Sequence, residues 1–356
     1  MKVKRRDLVE GCILSSDVYS KSTTPLITKQ TVLTSEHLDV LKAFLIEDVS
    51  VEPKLVSGQK FRVSLSRNHI TDEVLSEIPT IHHYLQGVKQ HEKLFNDWQQ
   101  GKNIDIFSVV ALINPLIDGF LEDPIHLFEV NNYVVSEAYI HHHAIGVGLL
   151  SAYIGDKLNY PKKEVYDIGL AGFIADCGMA KLPPRLYRKR EVLNETEIRQ
   201  IERHPIYGYQ MLKDLPTVKE GVVQAVLQHH EREDGSGYPL KIVGKRLHPY
   251  AKIVSISDAY FAMISERPYR RKRTPFKVLE LIRQEGFGKY DHHVYSVLAD
   301  EVIRFTIGRK VRLTNQTTGE IAFIPKGYPI YPILRMESGV TLSLKDHPEL
   351  DIEELL

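Results

Sequence analysis

The sequence predicts an all-α helical bundle as the main domain, with a small α/β module at the amino terminus and a small β appendage at the carboxyl terminus. Three observations predict this arrangement. Residues 130–305 alternate long amphipathic stretches with loops that contain Pro or Gly, which is the pattern of a helical bundle. Residues 1–60 mix short strand-prone runs with one helical run. Residues 306–356 contain short β-prone runs separated by Gly, Pro and Asn.

The amino-terminal module combines β-branched runs with a stretch of helical periodicity at Ser35–Ile46. Its strand-prone runs are Val18–Tyr19, Pro25–Thr28 and Val49–Val51. Residues 61–129 are predicted to form a helical connector to the main domain, since apolar residues including Ile81 and Tyr84 fall on one stripe.

Composition and charge argue against several classes of protein. Of 356 residues, 43% are hydrophobic and 26% are charged, which is typical of a globular protein. Lys plus Arg and Asp plus Glu number 46 each, so no overall field attracts a nucleic acid polymer or an anionic membrane. Cys12 and Cys177 are too few for a disulfide framework, and the first residues lack the apolar core of a signal peptide. No apolar stretch reaches the roughly 18 residues of a membrane helix, so we expect a cytoplasmic protein.

The most informative segment runs from Gln228 to Pro239 and reads QHHEREDGSGYP. Two adjacent imidazoles, His229 and His230, can point into one cavity from a helix end, while Gly235 and Gly237 permit a tight loop and a close approach of a ligand. The segment matches HHxxxDGxGYP, the signature of the HD-GYP family, and on this motif the chain resembles HD-GYP proteins. A surface turn with two capping histidines is the alternative interpretation.

The resemblance covers residues 130–305 most strongly, and it implies an HD-superfamily bundle that uses bound metal ions to linearise cyclic di-GMP. The metal ligands that it implies are His143, Asp176, His204, His229, His230 and Asp258. It assigns the catalytic centre to Asp176, which would bridge two metals. One metal would also contact His143 and Asp258, and the other would contact the remaining three histidines. Imidazole and carboxylate donors suit Fe or Mn first, with Zn, Ni or Co as alternatives, better than Ca or Mg.

Local patterns support several of these positions without the resemblance. His143 starts an apolar stripe on a predicted helix, and Asp176 ends an apolar run where an unpaired charge would be costly. Pro205 should bend the chain beside His204. A hydrogen-bonded core histidine at 143 and a capping or surface histidine at 204 remain the alternatives. The neighbouring His141 and His142 fall on other sides of the helix, and we expect them to be solvated or to support the ligands from behind.

Two residues of the expected active site are replaced. Where the family reads His-Asp-x-Gly-Lys, this chain has Ala175 and Met179 in place of the metal-binding His and the Lys. Tyr139 stands where members with a third metal carry Glu, and Phe261 stands where a second Asp is usual. The resemblance therefore predicts one complete metal site and one that lacks a donor, with a slower reaction as the result.

The resemblance also implies a nucleotide site. Its expected residues are Gly235, Gly237, Tyr238, Arg267 and Arg270. Guanidinium groups suit phosphate oxygens, although the run from Arg267 to Arg273 is also compatible with a solvated basic surface. The amino-terminal module is a candidate contact for a signalling protein partner.

Three functions therefore compete. The first is a metal-dependent cyclic di-GMP phosphodiesterase with impaired turnover. The second is a degenerate receptor or scaffold that binds cyclic di-GMP or metal without useful turnover. The third is an interaction protein that binds neither. Only a turnover assay separates the first two, because they share every binding residue, whereas the third would fail to retain metal.

Overall fold

The computed structural model comprises two compact units, Met1–Val74 and Leu75–Leu356. The described residues are 2–5, 8, 10–19, 25–44, 46, 48–56, 78–187, 189, 191–265, 273–325, 328 and 330–356. The second unit is mostly helical, and small antiparallel sheets lie near both ends of the chain, which confirms the predicted fold class. No helix among the described residues is both long enough and apolar enough to cross a membrane.

The first unit is a small α/β module. Its elements are β1 (Lys2–Lys4), β2 (Val18–Tyr19), β3 (Pro25–Ile27), α1 (Ser35–Ala43) and β4 (Asp48–Ser50). Strand β1 pairs with β4 and β2 pairs with β3, both antiparallel. A separate core, which includes Leu14, Leu33 and Leu41, stabilises this unit through burial of apolar surface.

The second unit is built from helices that share one large core. They are α2 (Pro79–Gln99), α3 (Ile106–Glu122), α4 (Tyr139–Lys157), α5 (Lys162–Ile174), α6 (Pro184–Tyr187), α7 (Glu195–Ile201), α8 (His204–Leu212), α9 (Glu220–Gln228), α10 (Pro249–Ile264), α11 (Pro275–Glu285) and α12 (His292–Thr306). Helix α4 is buried from His141 to Gly155, because other helices cover it on all sides. Helices α2 and α3, which lie within the predicted connector, contribute buried residues to the same core.

Helices α4 and α5 approach each other closely. A Cβ added at Gly172 would lie 2.7 Å from Ser151 Oγ and 2.8 Å from the carbonyl oxygen of Val147. Only glycine fits there without a shift of the opposite helix. This contact fixes the distance between the helix that starts near His143 and the helix that ends just before Asp176.

Helix boundaries follow local signals in the sequence. Asn194 and Glu197 form the predicted capping box at the start of α7. Helix α7 ends at Ile201 and α8 begins at His204, with Pro205 in its first turn, so the chain breaks where Pro205 predicted a bend. The break leaves His204 at a helix start.

A five-stranded antiparallel sheet forms the β-rich carboxyl-terminal part, in the order β8-β7-β6-β5-β9. Its strands are β5 (Lys310–Leu313), β6 (Thr318–Phe323), β7 (Ile333–Met336), β8 (Thr341–Ser343) and β9 (Ile352–Leu355). Val311, Leu313 and Ile321 are fully buried in its core. The domain boundaries near residues 60, 129 and 305 stay predictions.

Two hydrogen bonds join α2 to the first turn of α4. Tyr84 Oη lies 2.9 Å from His142 Nδ1, and His91 Nδ1 lies 2.9 Å from His141 Nδ1. Of the two roles expected for His141 and His142, a solvated position is wrong, because α2 covers this turn and leaves them 7% and 3% exposed; support of the ligands from behind stays a prediction. Burial, with a smaller effect of His141, lowers the pKa of His142 to about 3, so its ring is neutral at neutral pH.

We expect Tyr84→Phe to lower the free energy of unfolding by about 1–3 kcal/mol, because His142 Nδ1 would lose its partner in a dry interior. Urea unfolding of the full chain measures this change. The matched control is Tyr328→Phe, which removes a hydroxyl from a tyrosine that is 45% exposed. Equal stability of the two variants would show that the buried hydrogen bond contributes nothing.

Candidate metal centre

Four side chains converge at the centre of the second unit. Donor atoms of Asp176, His204, His229 and His230 all lie within 4.8 Å of one another. Asp176 follows α5 directly, His204 starts α8, and the other two histidines follow α9. They are the four residues that the sequence assigned to the more complete metal site, and their metal-binding role stays a prediction.

The backbone orients two of these imidazoles. His204 Nδ1 donates to the carbonyl oxygen of Ile201, and His229 Nδ1 donates to that of Val226, both at 2.8 Å. A carbonyl oxygen only accepts, so each Nδ1 carries a hydrogen and Nε2 is the ring nitrogen that faces the centre. The two Nε2 atoms lie 3.2 Å apart, and that of His204 lies 3.1 Å from Asp176 Oδ1. Two ring nitrogens this close to each other and to a carboxylate need a proton or a metal ion between them, which fits a metal site.

Electrostatics in the centre favour the ligating protonation states. Burial raises the pKa of the Asp176 carboxyl, but hydrogen bonds from His204 and His229 outweigh this effect and hold it well below its usual range. Burial and the neighbouring His229 lower the pKa of His230 well below its usual value. Asp176 is therefore an anion and His230 is neutral at neutral pH. The Asp176 side chain remains 23% exposed, which leaves a path for an ion or a ligand to reach it.

The other two predicted ligands pair with each other. His143 Nε2 donates to Asp258 Oδ1 at 2.8 Å and lies 3.8 Å from Asp176 Oδ2. Tyr139 Oη lies 3.1 Å from His143 Nδ1, where a phenol can donate, and the two rings stack. The structure thus brings all six predicted residues together. However, the His143 nitrogen that faces Asp258 is engaged in a hydrogen bond.

The replaced positions are buried and apolar. Ala175 is 4% exposed and Met179 is 8% exposed, and neither side chain offers a nitrogen to a metal or a phosphate. Gly178, which lies between them in sequence, is required sterically. A Cβ there would lie 2.0 Å from the carbonyl oxygen of His204, so the turn after Asp176 packs directly on the start of α8.

The predicted nucleotide loop packs against the centre. The Tyr238 ring stacks on His230 with 4.7 Å between ring centroids, and the Tyr238 amide donates to the His230 carbonyl oxygen. Gly235 has a positive φ of 76°, and a Cβ at Gly237 would lie 2.4 Å from that same carbonyl oxygen. The loop is thus held on His230 by main-chain contacts. Arg267 and Arg270 lie outside the described residues.

Sequence reasoning missed Glu231, whose side chain is only 1% exposed. Its carboxylate accepts hydrogen bonds from the backbone amides of Leu240, Lys241 and Ile242. It therefore closes the loop that begins at the two adjacent histidines. The available signal was an acidic residue directly after His230, at a position where the motif permits any residue.

The comparisons with known proteins agree with this geometry. Residues 130–294 match the family model of the HD domain. The chain is 30% identical over 230 residues to the cyclic di-GMP phosphodiesterase PA4108 of Pseudomonas aeruginosa. That alignment covers 64% of this chain and 55% of that protein. It is 35% identical over 123 residues to the cyclic di-GMP phosphodiesterase response regulator RpfG of Xanthomonas campestris. That alignment covers 34% of this chain and 32% of RpfG.

More distant similarities point the same way. The chain is 24% identical over 257 residues to 3′3′-cGAMP-specific phosphodiesterase 1 of Vibrio cholerae, which covers 70% of this chain and 55% of that one. The chain thus spans about half the length, or less, of these curated relatives. The solved structure of Bd1817, an HDG"Y"P protein from Bdellovibrio bacteriovorus, aligns with a TM-score of 0.52 at 18% identity, over 85% of this chain and 99% of that one. This likeness supports the fold alone.

We expect Glu231→Gln to lower the free energy of unfolding by about 1–3 kcal/mol, because an amide group would turn a donor toward backbone N–H groups that need an acceptor. Faster hydrogen exchange at Leu240–Ile242 should accompany the loss. The matched control is Glu195→Gln, since the Glu195 side chain is 88% exposed and its ion pair with Arg199 is solvated. Unchanged exchange in the loop would refute the closing role of Glu231.

Proposed function

Because this chain belongs to the HD-GYP family of HD domains, we propose that it is a metal-dependent cyclic di-GMP phosphodiesterase with impaired turnover. The observation that carries the proposal is the convergence of Asp176, His204, His229 and His230 on one point. Relatives that are named cyclic di-GMP phosphodiesterases support the substrate. A cytoplasmic location and a signalling partner at the amino-terminal module belong to the same proposal.

The four converging residues would hold one transition metal, with Fe or Mn as the first candidates and Zn, Ni or Co as alternatives. Such an ion supplies electrophilic stabilisation of phosphoryl oxygens. The contribution of the chain is to hold Asp176 ionised and to direct the Nε2 atoms of His204 and His229 toward it. His143 and Asp258 would complete a second site only if their mutual hydrogen bond were broken.

The nucleotide would lie beside this centre. Gly235, Gly237 and Tyr238 form a loop on His230 that permits close approach of a phosphate, and Arg267 with Arg270 would supply guanidinium donors to its oxygens. The role of both arginines is inferred from the family resemblance alone. Met179 leaves the centre without the cation that the family places nearby, and a positioned donor of this kind is worth about 10²–10³ in rate.

A receptor without useful turnover is the second candidate, and the His143–Asp258 hydrogen bond favours it specifically. This bond at 2.8 Å satisfies both groups without a metal, and Tyr139 can donate to the other His143 nitrogen. The half of the centre next to Ala175 would therefore bind an ion more weakly than the half that contains His204 and His229. Nucleotide binding with no linear product would support the receptor over the slow enzyme.

We expect the purified chain, reconstituted without oxygen with Mn²⁺ or Fe²⁺, to hold about one ion per molecule after desalting, because one complete donor set is present. Elemental analysis measures the stoichiometry. His229→Ala should lose the ion, whereas His143→Gln should retain it, since His143 lies outside the four-residue set. A folded wild-type chain that retains no metal would contradict the proposal, and two fully occupied sites would contradict the impairment.

Ala175→His combined with Met179→Lys should raise cyclic di-GMP hydrolysis well above that of the wild type. The histidine restores a donor beside Asp176, and the lysine restores a cation without changing metal content. Both positions are buried, so overpacking by about 1–3 kcal/mol is expected and the melting temperature is followed in parallel. Linear product is measured by chromatography, with 3′3′-cGAMP as a second substrate.

The control for this experiment adds His204→Ala to the double variant, which should remove the gained activity because the chemistry requires the metal centre. A double variant that folds, holds two metals and yields no linear product would exclude the slow-enzyme proposal. The same preparation, tested for nucleotide binding, would then support the receptor.

A further inference from the structure

Arg232 connects two elements of the candidate centre. Its Nη1 atom donates to the carbonyl oxygens of His229 at 3.2 Å and Glu231 at 2.9 Å, and to Ser255 Oγ at 2.7 Å. The two carbonyls lie just after α9, while Ser255 lies on α10. One guanidinium therefore ties the end of α9 to the neighbouring helix.

Both connected elements carry candidate ligands. His229 and His230 follow α9 directly, and Asp258 lies one turn after Ser255 on α10, on the adjacent face of that helix. We propose that Arg232 is a positioning residue that sets the distance between the paired imidazoles and the Asp258 carboxylate. The inference rests on the proposed metal centre, and it adds a residue whose position the HHxxxDGxGYP motif leaves open.

Arginine suits this role for two reasons. Its planar group fixes the directions of the two Nη1 hydrogens, which are shared among two carbonyls at a helix end and a hydroxyl on another helix. The Arg232 guanidinium also lies over the Tyr290 ring, 4.8 Å from its centroid, which restricts its plane. A lysine ammonium group rotates freely and lacks this fixed geometry.

The direction in which metal affinity changes when Arg232 is removed distinguishes a positioning role from simple charge repulsion. A cation near a metal ion repels it, so if charge alone mattered, removal of Arg232 would tighten metal binding. If Arg232 sets the ligand geometry, its removal weakens binding instead. Arg246 provides a matched control, because it is exposed and its replacement changes the net charge equally.

The experiment measures Mn²⁺ binding to the full-length chain by the EPR signal of the free ion. Arg232→Met should weaken Mn²⁺ binding by roughly tenfold or more, as is common when a residue that supports metal ligands is lost. The EPR spectrum of the bound ion should also change, because the ligand geometry relaxes. Arg246→Met should leave both unchanged.

Further variants test whether the effect of Arg232 acts through its hydrogen bond to Ser255. Ser255→Ala should weaken binding less, and adding it to Arg232→Met should have little further effect, because both changes break the same link. Arg232→Lys should recover only part of the affinity. If Arg232→Met does not fold, Mn²⁺ affinity and the EPR spectrum of the bound ion are compared between Ser255→Ala, Arg232→Lys and the wild type. Unchanged values in both variants would then contradict the positioning role.

Two outcomes overturn the inference in distinguishable ways. Equal or tighter Mn²⁺ binding by folded Arg232→Met, with an unchanged spectrum, removes the positioning role and leaves the proposed function intact. A folded wild-type chain that binds no Mn²⁺ removes the metal centre itself, and the inference falls with it.

Discussion

The partly buried carboxylate of Asp176 is the constraint on which the candidate centre depends. An anion at the end of an apolar helix is costly unless positive or hydrogen-bonding groups surround it, and His204, His229 and His143 all approach it. Main-chain carbonyls fix the hydrogens of two of these rings on the outer nitrogens. The inner nitrogens are then directed at the carboxylate and at each other. The fold thus brings together a set of donors that could hold a cation.

The polar groups on the two sides of Asp176 find their partners in different ways. On one side, the inner nitrogens of His204 and His229 lie 3.2 Å apart and face the carboxylate. On the other side, His143 and Asp258 satisfy each other through a hydrogen bond. Ala175 and Met179 also lack the polar groups that the family pattern places on either side of Asp176 in the sequence. The proposed metal binding and the proposed turnover would therefore depend on different parts of this cavity.

Sequence reasoning predicted the fold class and the residues that meet at the centre, since helical periodicity, capping signals and a long motif are all local in sequence. It failed where a side chain depends on a distant helix. His141 and His142 are buried because α2 covers them, and their partners His91 and Tyr84 lie more than 45 positions away in sequence. The hydrogen bond between His143 and Asp258, which are 115 positions apart, could not be predicted from the sequence either. Both depend on three-dimensional packing that no single segment encodes.

The close contact of α4 with α5 at Gly172 has a consequence for how this centre can change over time. The distance between the two helices is set by main-chain atoms, so it does not depend on which side chains they present to the cavity. A ligand at position 175 can then be lost, or regained, without a shift of the frame that holds the other donors. Such a frame would tolerate substitutions in the cavity, so the fold and the chemistry of this unit could change independently.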